Sequence, residues 1–172
     1  MKSRENLVFL GMMGSGKSSI GLIVSKKLNI DFIDVDDEIE KKIGKPILKI
    51  FEDNGESYFR EIEEIITLKS LKKNKAVISL GGGAFLNNKI KKEVLDKHLS
   101  FWLNWDIKTL INRIKDSQKR PIAFKASKKQ LSELIKKRSI IYSDALYKID
   151  CDNLSKNEIV SNILKIYETH QA

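Results

Sequence analysis

Leu7-Val8-Phe9-Leu10-Gly11-Met12-Met13-Gly14-Ser15-Gly16-Lys17-Ser18 runs from an unbroken apolar segment straight into a glycine-rich loop. Four consecutive apolar residues suit a strand buried on both faces of a parallel sheet. Gly11 to Ser18 then match G-x-x-x-x-G-K-[ST] in full. Such a loop must curl so that successive backbone N–H groups point at one anion, and glycines permit that curl and the close approach. Beyond it, Ile20, Ile23, Val24 and Leu28 recur at helical spacing. The helix N-terminus adds partial positive charge facing the anion. Strand, loop and helix in that order are the context that makes this motif a phosphate-binding loop. Gly11, Gly14, Ser15, Gly16, Lys17, Ser18 and Ser19 are its candidate nucleotide contacts. Lys17 can bridge the β- and γ-phosphates of ATP, and the Ser18 hydroxyl can ligate Mg²⁺.

Outward from the loop, Asp31–Val35, Ala76–Leu80 and Leu99–Leu103 read as further strands. Tyr147–Cys151 is a more alternating one, expected at an edge. Helical patterns run from Asp37 to about Leu71 and over about 106–115, 128–143 and 156–169. The alternation predicts an α/β fold, three layers α/β/α around a parallel sheet with right-handed crossovers. With no repeat or low-complexity linker, residues 1–172 are expected to form one domain. Residues 115–129 break the pattern: a polar stretch carrying Arg120-Pro121 between two good helices. A loop of that length in an enzyme that must keep water from a reactive phosphate predicts a mobile lid.

Composition narrows the partners. The chain is 41% hydrophobic and 32% charged, as an ordinary water-soluble protein is. No apolar run approaches the roughly 20 residues that cross a bilayer. The first residues lack the pattern of a secretory signal. One cysteine, Cys151, cannot form an internal disulfide or a Cys-rich zinc site. A cytoplasmic monomer without membrane or nucleic-acid partners is expected. The formal charge of +9 comes from lysines spread along the chain, a solvated surface whose field also suits ATP and an anionic substrate. Only five of the 32 basic residues are arginine: Arg4, Arg60, Arg113, Arg120 and Arg138. Where lysine supplies generic charge, arginine is a candidate for planar, bidentate recognition of carboxylate or phosphate.

Three features bear on the phosphoryl acceptor. Asp34 and Asp36 close the second strand two residues apart, so they can share one face beside the phosphate loop. One can hold Mg²⁺ through water while the other accepts a proton from an attacking hydroxyl. The same stretch equally suits a helix start, with Asp36 or Asp37 as N-cap and Asp37-x-x-Glu40 resembling a capping box. Gly81-Gly82-Gly83 ends the third strand at the same edge and lets backbone lie directly against a ligand. Arg138 shares a helical face with Leu131, Leu134 and Ile135, an expensive place for a cation that meets no anion. Arg60 follows Phe59 at an expected helix start, Arg120 lies in the lid, and Arg113 lies just before it, where it can stack on an adenine ring.

In this order the phosphate loop, Asp34-x-Asp36, Phe59-Arg60, Gly81-Gly82-Gly83, Arg113, Arg120-Pro121 and Arg138 resemble the shikimate kinase family over nearly the whole chain. The resemblance implies a nucleoside-monophosphate-kinase-like fold with sheet order 2-3-1-4-5. It implies phosphorylation of the shikimate 3-hydroxyl by ATP on the path to chorismate and aromatic amino acids. By position, Arg60, Arg138 and Gly81 to Gly83 would bind shikimate, the two arginines holding its carboxylate, and the acid-substrate-binding region would span about 36–62. Asp36 would hydrogen-bond ring hydroxyls and accept the proton. Ser18 would ligate Mg²⁺, with Asp34 acting through its waters. Lys17 and Arg120 would stabilise charge on the moving phosphoryl group, and Arg113 would cover the adenine. The chain departs from the family at Ile122-Ala123, where two leucines are usual, and at Lys156, where proline is usual. Rival readings are a gluconate- or adenylate-kinase-like enzyme, and a phosphate-loop protein that binds nucleic acid through its positive charge.

Overall fold

The computed structural model describes residues 6–115 and 126–171. Five parallel strands, β1 (Leu7–Leu10), β2 (Asp31–Asp34), β3 (Ala76–Ser79), β4 (Leu99–Asn104) and β5 (Tyr147–Asp150), lie in the order β2-β3-β1-β4-β5. Seven α-helices accompany them among the described residues: α1 (Lys17–Leu28), α2 (Val35–Ile43), α3 (Ile47–Leu71), α4 (Asn88–Lys97), α5 (Ile107–Lys115), α6 (Lys128–Tyr142) and α7 (Lys156–Gln171). The α/β class and the strand order are those expected, and the alternating β5 is an edge strand. Every residue of β1 and β3 is buried, the signature of strands covered by helices on both faces.

Successive side chains of a strand point to opposite faces, so the apolar run of β1 feeds two cores. Leu7 and Phe9 join Val77, Phe101 and Leu103 under α1 and α7, with Val24, Ile159 and Ile163 closing that layer. Val8 and Leu10 join Ile78 and Trp102 under the other helices, with Ile39, Ile66 and Ile135. The first layer is tight at Gly21, where a Cβ would lie 2.8 Å from the Phe32 ring. Cys151 is buried on the same side, and burial pushes its thiol up to about 12.

Register aligns the functional ends of the strands. Asp34 pairs with Ser79, Ser79 with Phe9, and Phe9 with Phe101, so the loops after β2, β3 and β1 leave from one edge. At the opposite edge Asn6 fastens three segments. Its amide nitrogen donates to the carbonyls of Leu71 (3.0 Å) and Lys73 (2.7 Å), and its amide oxygen accepts from Ala76 N (2.9 Å).

The expected helical span from Asp37 to Leu71 is two helices. Gly44, at φ 74°, ends α2, and Pro46 precedes α3. Gly55, at φ 82° and ψ 174°, then kinks α3, a conformation open chiefly to glycine. The kink folds Phe51 back toward Phe59, their rings 4.5 Å apart, and starts a fresh helical run just before Arg60. β2 stops one residue early because Asp34 caps α2, accepting from Asp36 N at 3.0 Å. The cap is therefore Asp34, not Asp36 or Asp37. Helix α4 has no counterpart among the expected elements. Only Ile90 and Val94 are buried in its ten residues, and Asn87 caps it through Lys89 N and Ile90 N.

Candidate functional site

The phosphate loop is shaped by backbone that side-chain-bearing residues avoid: Gly11, Gly14 and Gly16 have φ of 140°, 78° and 91°. At Gly11 a Cβ would lie 3.0 Å from Leu103 O, so a side chain there would also press on the β4 backbone. Lys17 is almost fully buried, and its Nζ donates to Gly11 O (2.9 Å) and Met12 O (3.0 Å) across the curl. Ser18 Oγ donates to the Asp34 carboxylate and lies 3.5 Å from Ser79 Oγ. One Asp34 oxygen therefore caps α2 while the other accepts from Ser18.

Next to the loop, a cavity of about 260 Å³ is lined by Ser18, Asp34, Asp36, Arg60, Gly82, Gly83 and Arg138, with Phe51 and Phe59 as an apolar wall. Residues from five separate stretches of chain therefore converge on one space. Arg138 arrives from α6, whose start is fixed by a reciprocal capping box between Ser127 and Gln130. Leu131, Ile135, Arg138 and Tyr142 form its buried stripe, and Arg138 as a residue is 5% exposed. Its Nη1 donates to Gly82 O (3.3 Å), while Nε is buried without a hydrogen-bond partner among the described residues. A buried guanidinium with an unsatisfied donor suits an anion in that space. Tyr142 also donates to Gly82 O, and burial pushes its phenol up to about 12, which keeps the donor protonated.

Arg60 enters from the far side. Its Nη1 lies 2.6 Å from Glu63 Oε2 and its Nη2 3.2 Å from Glu56 Oε1. Glu63 is a site residue that the sequence reading missed. It is 3% exposed, and burial raises its carboxyl above the usual range, with Arg60 opposing. The available signal was spacing: Glu56, Arg60 and Glu63 fall on one helical face.

The triple glycine makes room rather than bending the chain, since none of the three has positive φ. A Cβ on Gly81 would lie 2.6 Å from Glu63 Oε1 and 2.8 Å from Asp36 Oδ1. One on Gly83 would lie 2.7 Å from Arg60 Cζ. Asp36, Glu63 and Arg60 occupy the volume that ordinary side chains would need.

A second cavity, of about 360 Å³, opens on the other flank of the phosphate loop and is lined by Ser15, Gly16, Ser19, Trp105, Arg113 and Lys156, among others. The Arg113 guanidinium sits over Trp105, its Cζ 3.8 Å from the ring centroid. The structure therefore brings Arg113 to the loop beside Ser19, while Asp36, Arg60 and Arg138 sit on the opposite flank. Arg120 and most of the expected lid lie outside the described residues.

Residues 13–168 match the family model described as shikimate kinase. A shikimate kinase of Persephonella marina is 36% identical over 160 residues, spanning 93% of this chain and 97% of that protein. Among solved structures, shikimate kinase from Acinetobacter baumannii in complex with shikimate superposes with a TM-score of 0.91 at 26% identity, covering 98% of this chain and 95% of that one. Shikimate kinase from Aquifex aeolicus gives a TM-score of 0.84 at 34% identity over 95% of this chain and 96% of that one.

Proposed function

This chain belongs to the shikimate kinase family, and from that membership we propose how its residues divide the work of moving the γ-phosphate of ATP to the 3-hydroxyl of shikimate. The reaction makes it an ATP-dependent phosphotransferase serving aromatic biosynthesis. One observation carries the assignment of sides. Arg60 and Arg138 reach a single cavity from different elements, and that cavity touches the phosphate loop at Ser18. Two guanidinium groups facing one space suit a carboxylate, and the adjoining loop suits a triphosphate.

In this reading the acid's carboxylate lies between Arg138 and Arg60, with Glu63 holding the Arg60 fork in place. Gly82 and Gly83 bring backbone against the ring, and Phe51 and Phe59 pack on its apolar face. Asp36, whose Oδ1 faces Gly81 alongside Glu63, takes the ring hydroxyl and then its proton as the oxygen attacks phosphorus. On the other side, the N–H groups of Gly14 to Ser18 cradle the phosphates, and Lys17 releases its hold on Gly11 and Met12 to meet the β- and γ-oxygens. Arg113 covers the adenine and Arg120 stabilises charge on the transferring group.

Mg²⁺ fits the corner between the two cavities. A hydroxyl and a carboxylate, Ser18 and Asp34, stand together there as hard oxygen donors. Burial first, and the neighbouring Asp34 second, push the Asp37 carboxyl upward. Among the described residues no group of three or more His, Cys, Asp or Glu could hold a metal ion, and Mg²⁺ with few protein ligands would keep several waters. Held by Ser18 and, through water, by Asp34, Mg²⁺ would supply positive charge against the phosphates. The protein's own contribution is positioning and a fixed field, since this chemistry requires little covalent participation.

No helix among the described residues is long and apolar enough to cross a membrane. The decisive test is ADP release with ATP and a panel of acceptors. Turnover with shikimate and none with gluconate or AMP is expected; turnover with gluconate or AMP in its place would overturn the acceptor. Binding of RNA that weakens steeply with salt would instead favour a nucleic-acid role.

A further inference from the structure

Trp105 stands one residue past β4, half-buried, with both of its chemical handles engaged. Its indole Nε1 donates to Ser15 O at 2.9 Å, a bond spanning 90 residues of sequence. Its ring face carries the Arg113 guanidinium 3.8 Å from the centroid. Arg113 in turn reaches Gly14 O at 3.4 Å. The carbonyls of two consecutive phosphate-loop residues are thus tied from outside by one stacked pair. Both members of that pair also line the cavity beside Ser19 and Lys156.

These contacts have a directional consequence. A peptide whose C=O is held outward keeps the N–H on its other side turned into the curl, where an anion would be met. Tying Ser15 O therefore orients the Ser15–Gly16 peptide, at the point where Gly16 sits at φ 91° and α1 begins. An arginine held over an aromatic ring and to a loop carbonyl also loses rotational freedom, and Arg113 so held lines the cavity.

We infer that Trp105 is a positioning residue of the nucleotide site, acting through Ser15 and Arg113. It fixes the loop's outer carbonyl and presents the guanidinium as a rigid shelf for a nucleobase. The chemical class served is a purine nucleoside triphosphate, with stacking as the contact to its base. The inference rests on the reading that the nucleotide occupies this flank of the loop, and the acid-binding cavity lies on the other flank.

The test uses the full chain with Trp105→Leu, which removes both handles, and Trp105→Phe, which keeps the ring and loses the N–H. For Trp105→Leu the KM for ATP should rise about tenfold, the scale of one stacking contact and one hydrogen bond together. For Trp105→Phe a smaller rise of about threefold is expected, from the hydrogen bond alone. The KM for shikimate should stay within about twofold in both, since loss of fold would move both constants. An unchanged KM for ATP, or a parallel rise in the two constants, would overturn the inference.

Fluorescence gives a second readout. Trp102 and Trp105 are the chain's two tryptophans, and Trp102 is buried in the core. Titrating ATP without shikimate should change the emission of the wild-type chain, and the change should vanish in Trp105→Phe while calorimetry still detects nucleotide. A change that survives in Trp105→Phe belongs to Trp102 and counts against the assignment. An ATP-dependent signal in a chain that fails to phosphorylate shikimate would support this inference while sinking the acceptor reading.

Discussion

Replacing Gly81 by alanine adds one methyl group to a wall of the acid-binding cavity, and its effect can be worked from two distances. The new Cβ would stand 2.8 Å from Asp36 Oδ1 and 2.6 Å from Glu63 Oε1. Ordinary carbon contacts begin near 3.5 Å, so each carboxylate must retreat by about 0.7–0.9 Å. Glu63 is buried and held by Arg60, whereas Asp36 is only half-buried, so part of the retreat falls on Asp36. A misplacement of about 1 Å costs about 10²-fold in rate, so kcat should fall about 10- to 100-fold. Stability should change little, because Gly81 has no positive φ and alanine lowers the entropy of the unfolded chain by about 0.4–1 kcal/mol. Gly44→Ala supplies the opposite case. Gly44 has φ 74° and open space around its Cβ position, so that variant should lose about 1 kcal/mol with kcat intact. The assay is ADP release with shikimate beside a thermal melt for each variant. A Gly81→Ala enzyme with wild-type kcat, or one whose activity is lost only in step with its melting temperature, would refute the steric account.

Three more outcomes are expected. Arg138→Lys keeps the charge and loses the fork, so the KM for shikimate should rise about tenfold or more while the KM for ATP holds; an unchanged shikimate KM would remove the carboxylate role. Asp36→Asn should lower kcat about 10²–10⁴-fold in single-turnover measurements, the range of a general base, and near-full kcat would make Asp36 a positioning group. Glu63 links stability to pH. Its carboxyl stands above the ordinary 4.5 in the folded chain, chiefly through burial, so as pH rises the unfolded chain releases this proton first. The folded state then holds the extra proton, and stability falls as pH climbs from 4.5 through the folded value. Urea midpoints of Glu63→Gln relative to wild type should therefore improve from pH 4 to pH 7, and a gap that moves the other way would contradict the raised carboxyl.

Sequence legibility followed the physics of each feature. The phosphate loop was readable because backbone curl and anion binding demand specific residues at fixed spacing, and Arg138 because a cation interrupted an apolar stripe. Helix α4 was hidden by composition: with Ile90 and Val94 as its buried residues, the periodic signal is two residues long. The division at Gly44 and the kink at Gly55 were hidden for another reason, since helical periodicity continues on both sides of each break. Glu63 looked like one more surface acid on a charged helix; its burial depends on the loop after β3, far away in sequence. Asp34 was visible as a pair with Asp36, but its double duty arises only when α1 and α2 meet at the sheet edge. The lid expectation, with Arg120, rests on sequence and resemblance alone.

Asn6 has a consequence for how damage to this protein would present. Its hydrogen bonds to Leu71, Lys73 and Ala76 close the pole of the sheet opposite the phosphate loop. Removing the amide would strand buried backbone groups at a cost of about 1–3 kcal/mol each, a large share of a small domain's margin. The folded molecules that remained would still turn over at the native rate. A cell carrying such a variant would hold fewer copies of an unimpaired catalyst, whereas a change at Gly81 would leave it with a full complement of slow ones.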